Sequence, residues 1–239
     1  MSKKVLVIVD LQNDFCPGGS LAVNEGDQIV PLVKDLALRG NYDLVIATQD
    51  WHPQDHASFA ANHAGKNVFE SVDLDGIQQT LWPVHCVQDT KGAELHADLT
   101  NDLEFVKRLD TIVTKGTNPR VDSYSAFFDN NQRQETGLRQ YLQQFCAINC
   151  IQPKDLQVDF TGLALDYCVK FSALDAAKIG FSSAVVLDAT RAVNLSPNDD
   201  LNALRELTQA GVSITSSREI LAPVVEREPA RPKAVALNP

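Results

Sequence analysis

Cys168 stands where an apolar run, residues 156–163, gives way to a helix-like stretch, residues 169–179. A thiol at such a junction faces helix N–H groups, whose partial positive charge favours the thiolate. Free cysteines are also among the most buried and inert residues of globular proteins, so the position gains chemical meaning only from partners elsewhere in the chain. Two other apolar runs end on suitable groups: residues 5–10 close on the carboxylate of Asp10, and residues 111–115 on the ammonium of Lys115. A carboxylate can take the thiol proton and return it to a leaving group, while an ammonium steadies the thiolate and the charge nearby. Backbone N–H groups in the turn ahead of the helix would hold an oxyanion. Singly, each residue has a plainer role, because strand-end aspartates often cap and strand-end lysines are usually solvated.

A second constellation lies in Gln49-Asp50-Trp51-His52-Pro53. Asp50 and His52 are two apart, so in extended chain their side chains point the same way. Trp82-Pro83-Val84-His85-Cys86 offers a third ligand, with Cys86 competing against His85, and His56 is a fourth candidate. A mixture of imidazole and carboxylate favours zinc, iron or manganese over calcium or magnesium. One carboxylate and two histidines leave coordination positions for water or substrate, the mark of a functional ion. The plainer alternative is a set of surface or hydrogen-bonded core histidines.

The elements that must position these groups alternate. Apolar or β-rich runs recur at residues 5–10, 43–48, 111–115, 156–163, 183–188 and 212–215, most of them apolar on both faces. Helical patterns fill most gaps: residues 29–38 before Gly40, residues 136–145, residues 169–179 before Gly180, and a helix opened by Ser196-Pro197 and stopped by Gly211. This order predicts an α/β fold, three layers (α/β/α) around a mainly parallel six-stranded sheet. Ligands of such sheets bind beyond the carboxyl ends of the strands, where Asp10, Lys115 and Cys168 are placed.

Bulk properties narrow the partners. With 239 residues, 44% of them hydrophobic, the chain can bury one large core. A formal charge of -10 disfavours nucleic acid and anionic membrane and suits a small neutral ligand. No apolar leader follows Met1 and no run approaches a membrane span, so a cytoplasmic location is expected. The five cysteines, Cys16, Cys86, Cys146, Cys150 and Cys168, are odd in number and irregularly spaced, which reads as reduced thiols.

VDLQNDF, QDWHP, WPVHC, KG followed by VDSYSAFFD, and GLALDYCVKFSALDA resemble, in that order, the nicotinamidases among the isochorismatase-like cysteine hydrolases. The resemblance runs from about Lys4 to about Ser216. It implies a catalytic triad of Asp10, Lys115 and Cys168, and one divalent metal on Asp50, His52 and His85. It implies an oxyanion hole from the N–H groups of Ala164 and Cys168, with a cis peptide at Leu163-Ala164. Phe15, Leu21, Trp82 and Tyr124 would wall the substrate, and Tyr167, before the nucleophile, would shape the pocket. The implied reaction is hydrolysis of nicotinamide to nicotinate and ammonia through a cysteine thioester, in NAD salvage, with pyrazinamide as a further substrate. Residues 1–222 would form one hydrolase domain with a metal-binding insertion around residues 50–100.

Some positions depart from the family pattern. Leu165 replaces a common threonine, His56 matches an extra metal ligand of some relatives, and residues 144–154 look long, with Cys146 and Cys150 read as helix-end packing and loop. The proline-rich residues 223–239 read as a flexible extension or an oligomer contact. Two alternatives stand beside the main reading. A sister hydrolase of ureido or carbamoyl compounds is not expected to carry both the Asp-Trp-His and Trp-Pro-x-His-Cys motifs, and a catalytically silent metal- and pyridine-binding protein has no need of an intact Asp10, Lys115 and Cys168. A relative that cleaves isochorismate without a cysteine nucleophile is excluded by the same logic if Cys168 is reactive.

Overall fold

The computed structural model describes residues 3–222, so the tail expected at residues 223–239 lies outside the described residues. In chain order the elements are β1 (Lys3–Val9), α1 (Val30–Arg39), β2 (Leu44–Asp50), β3 (Ser71–Leu74), β4 (Ile77–Thr80), α2 (Ala97–Thr100), α3 (Leu103–Arg108), β5 (Thr111–Lys115), α4 (Leu138–Ile148), β6 (Leu156–Leu163), α5 (Lys170–Ile179), β7 (Ser182–Arg191), α6 (Asp199–Gln209), β8 (Ser213–Thr215) and α7 (Ser217–Leu221). Six strands make one sheet in the order β5-β2-β1-β6-β7-β8. Every neighbouring pair in it is parallel, so the sheet expected to be mainly parallel is wholly so.

The continuous apolar runs follow from burial on both faces. Along β1, Leu6 and Ile8 pack with Val33 and Leu36 of α1 and Phe105 of α3. Val5, Val7 and Val9 pack on the opposite face with Leu142 of α4, Ala173 of α5 and Leu207 of α6. Helices therefore cover both sides, giving the three layers that the element order predicts. The chain walks outward from β1 through β2 to β5 and returns on the other side at β6, so a crevice opens between the carboxyl ends of β1 and β6. At that mouth Gly162 has φ +107°, and a Cβ there would collide with the Val9 backbone. Only glycine lets β6 lie this close to β1.

Boundaries moved where caps decided them. The helix predicted over residues 136–145 is Leu138–Ile148, because Thr136 Oγ1 donates to Ala126 O (2.6 Å) and accepts the Leu138 N–H (3.2 Å). It runs on far enough to bury Cys146, while Cys150 is exposed beyond it, and all five cysteines are free thiols. The helix predicted from Ser196 begins at Asp199, whose carboxylate accepts the Ser196 N–H (2.8 Å). The antiparallel β3–β4 hairpin was not anticipated, although Asp75-Gly76, both at positive φ, is a two-residue turn signal. Among the described residues no helix is long and apolar enough to cross a membrane.

Candidate active site

Lys115 ends β5 in register with Asp50, the last residue of β2, and its side chain is wholly buried. Its ammonium lies 2.8 Å from Asp10 Oδ2 and 2.5 Å from Asp50 Oδ1. It also donates to Ser123 O (2.8 Å) and to Cys168 Sγ (3.4 Å). Asp10 follows β1 at φ +44°, and Thr48 on β2 holds it twice, taking the Asp10 N–H (3.1 Å) and donating to Oδ1 (2.6 Å). The three strand-end groups expected to meet therefore do meet, around a single cation.

Cys168 sits in a π-helical turn, Leu165–Val169, that feeds α5. The N–H groups of Tyr167 and Val169 both donate to Ala164 O (3.1 Å each), and Ser172 Oγ donates to Cys168 O (2.6 Å). The Leu163-Ala164 peptide is cis, as the resemblance implied. Asp166 ties this turn to the segment after β7 by accepting the N–H groups of Val193 (2.9 Å) and Asn194 (2.8 Å).

Electrostatics correct one expectation. Burial pushes the Cys168 thiol well above its ordinary range, and Asp10 and Asp50 add to this against the pull of Lys115. Desolvation thus opposes the thiolate that a helix N-terminus would favour. Burial also raises Asp10, to about 6, even with Lys115 beside it. Asp50 behaves oppositely: against the cost of burial, Lys115, His52 and His85 hold it well below the usual carboxylate range. Lys115 has the shorter contact to Asp50, and the imidazoles lie on that side. The site therefore sets a thiol whose ionisation burial opposes beside a buried ammonium and a carboxyl group that burial raises.

Asp50 also joins the second constellation. His52 Nδ1 donates to Gly116 O (2.8 Å) and His85 Nδ1 to Pro83 O (2.7 Å), which leaves each Nε2 with a lone pair. The Nε2 atoms of His52 and His85 lie 3.6 and 4.0 Å from Asp50 Oδ2. His52 Nε2 is buried with no hydrogen-bond partner among the described residues. Burial lowers His85 to about 4, keeping it a neutral donor, while burial fails to hold His52 down because Asp50 draws positive charge to this point. One ligand atom each from Asp50, His52 and His85 falls within 4.8 Å of the others, so the set fits a divalent ion with nitrogen and oxygen preference. Gly116, at φ +63°, is required here because a Cβ would collide with the His52 ring.

The His56 ring lies 4.3 Å from that of His52, tilted by 40°, but it groups with His52 and Asp122 rather than with Asp50 and His85. Its Nδ1 accepts the Ser58 N–H (3.2 Å). Cys86 does not compete with His85: at φ +44° its side chain packs into the apolar core.

Two braces were missed in the sequence. Gln12 clamps Asp50 from both sides, donating to Asp50 O and accepting the Asp50 N–H (2.8 Å each). Asp14 accepts the Cys86 N–H (2.7 Å), fixing the chain just after His85. Their only sequence signal is polar residues adjoining Asp10 in LQNDF. Above these groups Phe15, Leu21, Trp82, Tyr124 and Tyr167 line a cavity together with Asp50, Asp122, His85, Ala164 and Cys168. The four expected wall residues and Tyr167 thus line the same space as the thiol.

Residues 4–219 match the isochorismatase domain. A nicotinamidase of Escherichia coli (strain K12) is 44% identical over 219 residues, spanning 90% of this chain and 95% of that one. The structure of an Acinetobacter baumanii nicotinamidase superposes with a TM-score of 0.83 at 41% identity, covering 92% of this chain and 99% of that one. A pyrazinamidase of Pyrococcus horikoshii in complex with zinc superposes with a TM-score of 0.67 at 33% identity, covering 90% and 99%. With both constellations drawn onto one buried lysine and its neighbour Asp50, and with these relatives matched over nearly their whole length, the chain belongs to the isochorismatase family, in its nicotinamidase branch.

Proposed function

We propose that the protein is a metal-dependent nicotinamidase that also accepts pyrazinamide. The observation that carries this reading is the buried Lys115 ammonium, in contact with Asp10 and with Asp50 and Cys168, which line the aromatic cavity. Asp10 removes the Cys168 proton while Lys115 holds the anionic charge in place, and Sγ attacks the carboxamide carbon. The N–H groups of Ala164 and Cys168 hold the resulting oxyanion. Asp10 then gives its proton to the nitrogen, the C–N bond breaks, and ammonia leaves a thioester on Sγ. Asp10 next takes a proton from water, the hydroxide attacks, the C–S bond breaks, and the thiol recovers its proton.

Asp50, His52 and His85 would hold the ion, with the Gly116 and Pro83 carbonyls setting both imidazole tautomers. A zinc, iron or manganese ion there supplies a Lewis-acidic anchor for the ring nitrogen of the substrate. Residues 1–222 would serve as one hydrolase domain, acting on a small molecule in the cytoplasm to recover nicotinamide for NAD synthesis.

The test is ammonia release from nicotinamide and pyrazinamide. Metal-loaded protein should release it, lose it on chelation, and regain it with added zinc, iron or manganese. No ammonia from the metal-loaded wild type would overturn the proposal.

A further inference from the structure

The β3–β4 hairpin lies outside the main sheet and sends Gln79, 2% exposed, toward the cavity wall. The hydrogen bonds around it have only one consistent direction. Tyr124 N–H donates to Asn130 Oδ1 (3.0 Å), so Asn130 Nδ2 is a donor, and it reaches Gln79 Oε1 (3.2 Å). Gln79 Nε2 therefore donates, to Thr80 O (2.8 Å) and to Tyr124 Oη (2.9 Å), and stands 3.4 Å from Asp122 Oδ2. Trp82 Nε1, which can only donate, gives the second bond to Tyr124 Oη (3.1 Å).

A phenol oxygen that accepts twice has only its own proton left to offer. Among the described residues the Tyr124 hydroxyl donates that proton to no group. The ring cannot swing away, because it meets Trp82 and Tyr167 edge to face and stacks on Phe171 at 5.5 Å. Tyr124 lines the same cavity as Cys168, His85 and Asp50.

We propose that Gln79 and Trp82 lock the Tyr124 hydroxyl as a hydrogen-bond donor to the substrate ring, so that the cavity favours aromatic carboxamides carrying a second ring acceptor, pyrazine over pyridine. The inference deepens the function proposed above and rests on it. A hydroxyl that faces a ring C–H in a closed pocket has lost water without replacement, whereas a ring nitrogen restores the bond. Tyr124 thus determines specificity, and Gln79, which acts through it, is a positioning residue.

Binding of pyrazinamide and of nicotinamide to zinc-loaded protein carrying Cys168→Ser, followed by calorimetry, reads this without turnover. Adding Tyr124→Phe should lower the ratio of pyrazinamide to nicotinamide affinity by about tenfold. Gln79→Glu places an acceptor where the amide donated, which turns the tyrosine proton away from the substrate, and the ratio should fall similarly with the tyrosine still present. An unchanged ratio in the Tyr124→Phe protein overturns the proposal, as does failure of both amides to bind. A fall in Tyr124→Phe with none in Gln79→Glu overturns the positioning role. Ammonia release by the unaltered enzyme is measured separately, and its absence overturns the hydrolase reading while the affinity ratio still decides this one.

Discussion

Asp10 and Asp159 are both buried in the same sheet, one beyond the carboxyl end of β1 and the other toward the amino end of β6, and burial raises both. Asp159 is satisfied by neutral donors, Tyr42 Oη (2.9 Å) and Gln157 Nε2 (2.7 Å). Asp10 instead shares the Lys115 ammonium with Asp50 and faces a thiol. The first arrangement ties β6 to the segment ahead of β2; the second can pass a proton. The cavities differ in the same sense. The hollow at the amino ends is far larger than the one above Cys168, yet among the described residues it has no thiol or imidazole in its lining. Size does not mark the reactive end of this molecule. The shared cation does.

The sharpest way to break the comparison is Cys168→Ala. Ammonia release should fall by about 10⁴-fold or more, while the melting temperature moves by no more than a few degrees. Residual activity above about one per cent would mean that the chemistry does not run through this thiol.

Gly116→Ala comes next, because the added Cβ pushes into the His52 ring and displaces the carbonyl that sets its tautomer. Zinc affinity should weaken by about 10- to 100-fold, measured by competition with a chelator. Unchanged affinity would separate Gly116 from the metal site.

Acid should distinguish the two aspartates by activity. Asp10 accepts the thiol proton only when ionised, and its pKa is raised to about 6, so kcat/KM should fall about tenfold per pH unit below that value. A profile flat down to pH 5 would remove Asp10 as the base. The smallest effect is expected at the other end of the sheet. Tyr42→Phe removes a hydrogen bond to Asp159 and should cost about 1 kcal/mol, or roughly 2–4 °C in melting temperature. Ammonia release should not change, and a loss there would show that the two ends are coupled.

Much of this was legible in one dimension. Apolar runs at strand and helix periods report burial locally, so β1, β2, β5, β6, β7 and β8 were located before any coordinate, and the residues at their carboxyl ends were the right ones to read. The β3–β4 hairpin was missed for the opposite reason: its strands are short and mostly polar or only half-buried, so no apolar run announces them.

The sequence by itself determined the order of layers, the end of the sheet that carries chemistry, and the residue types available there, because these depend on neighbours a few positions apart. The tertiary structure decided how those residues behave. Lys115 meets Asp50 across 65 positions and Cys168 across 53, and these through-space contacts make one site of what read as two. Burial opposes ionisation of Cys168 and raises Asp10, while Gly116 and Gln12 fix His52 and Asp50 from segments far away in the chain. Desolvation and Coulomb interaction depend on distance in space, which no spacing along the chain reports.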